Sequence, residues 1–103
     1  METKYKVEIL DEALTELRAI YDYIVPDNAS AARRIFEEIL STADDLANYP
    51  LRGRALDARD KSMNGYHVVS VKPYLIFYKI CETIIIVHHI IDGRRDYRVL
   101  LEY

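Results

Sequence analysis

Apolar and polar positions alternate in two different rhythms along this chain. From Lys4 to Leu10 the period is two, with Tyr5, Val7 and Ile9 on one side and Lys4, Lys6 and Glu8 on the other. That is the pattern of a half-buried strand. From Asp11 the rhythm becomes helical. Leu14, Leu17, Ile20, Tyr21, Ile24 and Val25 share one face, and Glu12, Glu16, Arg18 and Asp22 take the other. Asp11 is predicted to be the N-cap, with Glu12 in the first turn, where negative charge suits the helix dipole. Pro26 stops this helix, because the residue before a proline is pushed out of helical geometry. Asp27 or Asn28 then caps a second helix, whose stripe is Ala32, Ile35, Phe36, Ile39, Leu40, Ala43, Leu46 and Ala47, closed by Pro50. Tyr49 to Asn64 lacks either rhythm and reads as an irregular surface loop. Three short apolar runs follow: Tyr66–Val71, Tyr74–Cys81 and Ile84–Ile91. Their links, Lys72-Pro73 and Glu82-Thr83, are short enough to make an antiparallel meander.

The order is strand, helix, helix, strand, strand, strand. It predicts an α+β fold: an antiparallel sheet with a helical hairpin packed on one face. Ile84–Ile91 is apolar on both sides and belongs in the middle of the sheet. Alternation places some of His89, Tyr78 and Tyr66 toward the uncovered face, and opposite residues such as His88 toward the helices.

At 103 residues, half of them apolar, the chain is expected to form one domain, 1–103, with a real core. The single cysteine, Cys81, has no internal partner and suits a reducing compartment and a structural role. The N-terminus has no long apolar leader, and the longest apolar run is far short of the ~20 residues that span a bilayer. A cytoplasmic protein without a membrane partner is expected. The net charge is −3, unevenly spread. Residues 1–50 carry five Lys/Arg against eleven Asp/Glu, a net −6; residues 51–103 carry nine against six, a net +3. The overall acidity argues against a general nucleic-acid binder, and the split predicts an electrically polarised molecule.

Candidate chemistry collects past the last strand, in Asp92-Gly93-Arg94-Arg95-Asp96-Tyr97. Arginines held rigidly at a strand end suit recognition of carboxylates or other anions. The three histidines, His67, His88 and His89, titrate near neutrality and could serve as acid or base. If His67 and His89 share the open face, a His67/His89/Arg95 cluster forms; the plainer reading makes His88 core and the other two ordinary surface. Arg54 lies in the loop with Arg52, and Tyr74 and Tyr78 read as sheet packing, with stacking on a base as the alternative. No CxxC, HExxH or glycine-rich phosphate loop is present, so neither a metal nor a cofactor is expected.

Taken in order, these pieces resemble a known family. They are Ala13 and Leu17 with Ile20-Tyr21-Asp22-Tyr23-Ile24; Leu46, Tyr49-Pro50 and Gly53-Arg54; Tyr66-His67-Val68-Val69; Tyr74 through Ile80; and Ile91-Asp92-Gly93-Arg94-Arg95-Asp96. The chain resembles the RelE/ParE superfamily of toxins from type II toxin–antitoxin (plasmid stabilisation) modules over nearly its whole length. The resemblance implies a small sheet backed by a helical hairpin, and a cognate antitoxin that binds the toxin as a hetero-oligomer. It also implies one of two actions: ParE-like poisoning of DNA gyrase, or RelE-like cutting of messenger RNA on the ribosome. Arg95 matches one arginine of the RelE set. Leu75 stands where a second arginine is usual, and Leu101 where a tyrosine is usual, with Tyr103 two residues late. The ParE-like reading is therefore the expectation: growth inhibition by binding, through Arg94, Arg95, Arg54 and Tyr78, to the target or the antitoxin. The alternatives are an mRNA endonuclease using Arg95 with His67 and His89 as catalytic residues, and a decayed toxin fold without activity.

Overall fold

A computed structural model of the chain describes residues 4–56 and 65–95. The elements are strand β1 (Lys6–Ile9), helix α1 (Asp11–Ile24), helix α2 (Ala29–Asp45), the two-residue strand β2 (Arg54–Ala55), and strands β3 (His67–Val71), β4 (Tyr74–Cys81) and β5 (Ile84–Asp92). Every element expected from the periodicity is present. β2 is an addition, drawn from the stretch read as irregular. Residues 57–64 of that loop, with Asp96, Tyr97, Leu101 and Tyr103, lie outside the described residues.

The sheet runs β1-β5-β4-β3-β2. β2 through β5 are antiparallel to their neighbours, as the meander requires. β1 is different: it lies parallel to β5, Lys6 to Ile9 facing Ile84 to Val87, so the sheet is mixed. β5 is thus an interior strand, flanked by β1 and β4, but the geometric centre is β4. Cys81, at the far end of β4, is exposed rather than part of the core.

The core lies between the hairpin and the sheet. Ala13 and Leu17 of α1 and Ile39 and Ala43 of α2 are buried against Val69, Ile76, Tyr78, Ile85, Val87 and Ile90. Small residues on α1 let it lie close to β5. The sheet's other face is not left bare. Tyr66, Val68, Phe77 and Ile91 form a second buried cluster there, with Leu75 and Leu56 packed against it.

The helix starts differ from one another. Asn28 caps α2 through its side chain, which accepts the Ala31 N–H at 3.0 Å. Asp11 does not cap α1; it is already the first helical residue, and the preceding Leu10 has no capping side chain. The reason is the strand before it. The Leu10 N–H donates to Val87 O at 3.0 Å, so the chain leaves the ladder and enters the helix with no residue to spare. Asp11 and Glu12 keep the favourable position in the first turn.

β1 stops opposite Val87, and α1 takes over the flank of β5 from there. The Ile90 N–H, left without a strand neighbour, donates to Glu16 Oε1 at 3.1 Å. One bulge completes the picture. Phe77 pairs with His89 but Tyr78 pairs with Val87, leaving His88 as the extra residue.

Candidate functional site

α1 and the end of β5 enclose a groove of ≈ 400 Å³. Its apolar floor is Ile20, Tyr74, Ile90 and Ile91, and its walls carry Tyr23, Glu16, Asp92, Arg94 and Arg95. Two larger hollows, of ≈ 640 and ≈ 610 Å³, lie around Asp45, Asn48 and Arg52, away from the arginine turn. The groove follows from the sequence of α1. Ala19 and Ile20 sit one turn before Tyr23, and the small Ala19 leaves room beside the strand end. Tyr23 is 84 % exposed, an unusually large share for an aromatic ring at the edge of an apolar floor.

The turn after β5 is tightly organised. Asp92 accepts from the Arg94 backbone N–H at 2.9 Å, from Nε at 2.9 Å and from Nη2 at 2.6 Å. These bonds and the guanidinium charge hold the Asp92 carboxyl down to about 2. The Gly93 N–H donates to Pro73 O at 2.8 Å, and a Cβ on Gly93 would sit 3.0 Å from both that carbonyl and Leu75. Arg94 is therefore a paired residue that fixes the turn, whereas Arg95 stands exposed at the groove rim.

The histidines lie on the faces opposite to those expected: Ile85 and Val87 face the helices, His89 follows them, and His88 points the other way. His88 meets the Tyr66 ring edge-on, centroids 5.4 Å apart, on the face away from the helices. Burial and the nearby Lys79 charge lower its pKa. His89 turns to α1 instead, buried at 4 %, with Nδ1 3.2 Å from Glu16 Oε2. Glu16 is half withdrawn from water, and that burial raises its pKa against the opposing pull of the Ile90 N–H and of His89. His67 stacks on Tyr78, rings 5.4 Å apart and 22° from parallel, two strands away from His89. Two strand spacings are ~10 Å, so the His67/His89/Arg95 cluster is not assembled.

Tyr78 is fully buried beneath the helices rather than on an open face. Its hydroxyl accepts the Gly53 N–H at 3.0 Å and donates to Pro50 O at 2.9 Å, so it is a structural pin with no surface to offer a partner. Arg54 is exposed on β2, across the sheet from the groove. Of the predicted binding residues, Arg94 and Arg95 come together and Arg54 and Tyr78 do not join them.

Sequence reasoning missed Glu16 and Tyr23. Glu16 was assigned to the solvent face of α1, yet it lies one turn from both Ala13 and Ile20, at the border of the apolar stripe. That border position was the available signal. A third grouping, Lys79 with Nζ 4.4 Å above the Tyr66 ring and His88 beside it, comes from three separate strand regions on one face of the sheet, since Lys79 pairs with Ile86 and His88 lies two residues further on.

The comparisons with known proteins agree with this architecture. The family described as the ParE toxin of the type II toxin–antitoxin system parDE matches residues 7–97. Toxin RelE2 of Caulobacter vibrioides is 36 % identical over 87 residues, covering 84 % of this chain and 90 % of that protein. Among solved structures, a chain of a chromosomal ParDE toxin–antitoxin system from P. aeruginosa superposes with a TM-score of 0.74 at 17 % identity, covering 88 % of this chain and 98 % of that one. A chain of the RelBE2 toxin–antitoxin complex from Mycobacterium tuberculosis superposes with a TM-score of 0.67 at 22 % identity, covering 86 % and 98 %. Both likenesses are in fold. With the matched family spanning strand β1 through the arginine turn, this chain belongs to the ParE toxin family of type II toxin–antitoxin systems.

Proposed function

We propose that this toxin acts by binding a cellular protein such as DNA gyrase, and that a cognate antitoxin silences it by occupying the groove between α1 and the end of β5. The groove carries the reading. It combines an apolar floor, an exposed tyrosine and the Arg95 cation, the kind of composition that anchors a protein partner. The two histidines do not gather around Arg95: His67 stacks on Tyr78 and His89 is held by Glu16. Binding therefore fits the site better than cleavage.

The test has two arms. Expression of the chain alone should arrest growth, and co-expression of the product of the adjacent reading frame should relieve it. Purified chain should inhibit supercoiling by gyrase, and Tyr23→Ala should weaken capture by that adjacent product by ~30-fold, the ~2 kcal/mol of an aromatic anchor. Harmless expression, with no partner captured, sinks the proposal.

A second reading has one observation in its favour. On the other face of the sheet His88, Lys79 and Tyr66 lie in contact. A histidine kept neutral beside a lysine is chemically suited to RNA cleavage. New 5′ ends in cellular transcripts by primer extension, lost in His88→Gln and kept in Tyr23→Ala, would select the endonuclease over the gyrase poison.

A further inference from the structure

Where β1 ends and α1 takes over the flank of β5, two carboxylates of one helix face meet an imidazole. Glu12 and Glu16 are four residues apart and so lie side by side. His89 reaches them from the strand. The donor atoms of the three lie within 4.8 Å of one another. His89 Nδ1 is 3.3 and 3.2 Å from the two Glu16 oxygens and 4.0 Å from Glu12 Oε1.

These spacings are long for a charge-assisted hydrogen bond, which settles near ~2.7–2.9 Å. They are close to the edge of a metal tetrahedron: bonds of ~2.0–2.1 Å put neighbouring ligand atoms ~3.4 Å apart. The accessibility is graded as an ion-entry path would be. The His89 side chain is 5 % exposed, Glu16 19 % and Glu12 69 %. Glu16 is also oriented from behind, because Ile90 N–H donates to Oε1. Such an outer hydrogen bond is what fixes a carboxylate ligand. Glu12 is the exposed third member, its Oε1 4.0 Å from His89 Nδ1.

We infer that Glu12, Glu16 and His89 form a divalent-cation site suited to zinc. One imidazole nitrogen and two carboxylates are a zinc donor set, and the ion balances the two negative charges of the helix face. A bound ion ties α1 to β5 beside the groove. The inference does not depend on the toxin's target or on its antitoxin. Sequence motifs gave no sign of it, since two ligands come from a helix and the third from a strand far along the chain.

The untagged full chain, stripped with a chelator, is titrated with zinc chloride by calorimetry and by thermal melting. One saturating equivalent and a melting temperature that climbs with zinc concentration are expected. Glu12→Gln, at an exposed position, should keep the parent's fold without metal and bind zinc at least ~10-fold more weakly, since even outer-shell changes cost that much. Glu16→Gln should weaken it likewise. Absence of saturable binding, or equal zinc affinity in Glu12→Gln, overturns the site.

Discussion

At Tyr78 one hydroxyl holds down a whole loop. It bonds to Gly53 and to Pro50, and its ring is fully buried. Tyr78→Phe strands a buried N–H and should cost about 1–3 kcal/mol in urea unfolding. Gly53→Ala should be as damaging, about 1–3 kcal/mol. Its Cβ would lie 2.5 Å from Val68 O and 2.7 Å from the Tyr78 hydroxyl, and backbone cannot step aside as a flexible side chain can. Asp92 supplies the pH-dependent case. Its folded value of about 2 lies below the ordinary 3.8, so its stabilisation is complete above the ordinary value and disappears as pH falls through about 2. An NMR titration of its carboxyl carbon checks this directly, and Arg94→Ala should return the midpoint toward normal. These roles were largely hidden in the sequence. Tyr78 sat correctly on a strand, but its two partners lie far away in a stretch without periodicity. The Asp92–Arg94 pair spans only two residues, yet the sequence did not tell Arg94, which is paired, from Arg95, which is exposed.

Local elements were the easiest to read, and the reason is physical. A helical stripe or a strand alternation is set within a few residues, and every such segment was found. What periodicity does not encode is which strand lies beside which. β1 was recognised as a strand, yet its parallel pairing with β5 depends on residues near the other end of the chain. The bulge is a comparable case. Val87 and Ile90, three residues apart, both face the helices, which a strict period of two does not allow. The two helix starts allow a matched comparison. Asn28→Ala should cost α2 about 1 kcal/mol, because a bonded cap is lost. Asp11→Asn should change stability by no more than about 0.5 kcal/mol, because Asp11 lies inside the first turn of α1 and makes no cap bond. Thermal denaturation of the two variants side by side separates a real cap from a sequence-like one.

Across the whole molecule, charge is the property that the sequence disclosed most directly. The half that contains both helices is net negative, and the half that contains the arginine turn is net positive. The groove lies where the two meet, between α1 and Arg95. Capture of the antitoxin should therefore be steered by charge. Its association rate should fall as salt rises, and Arg95→Glu should reduce the rate and flatten the salt dependence, measured by stopped flow. The parallel pairing of β1 with β5 has a further consequence, in the order of synthesis. β5 is translated after every other described element, and β1 before all of them. A nascent chain therefore cannot complete this sheet until its last strand has cleared the ribosome tunnel. While it waits, β1 has no partner, and α1 lacks the strand it is meant to flank. Because α1 and β5 together make the groove, the proposed binding surface does not exist until that strand has emerged. That interval gives an antitoxin already present in the cell time to meet the chain as it folds.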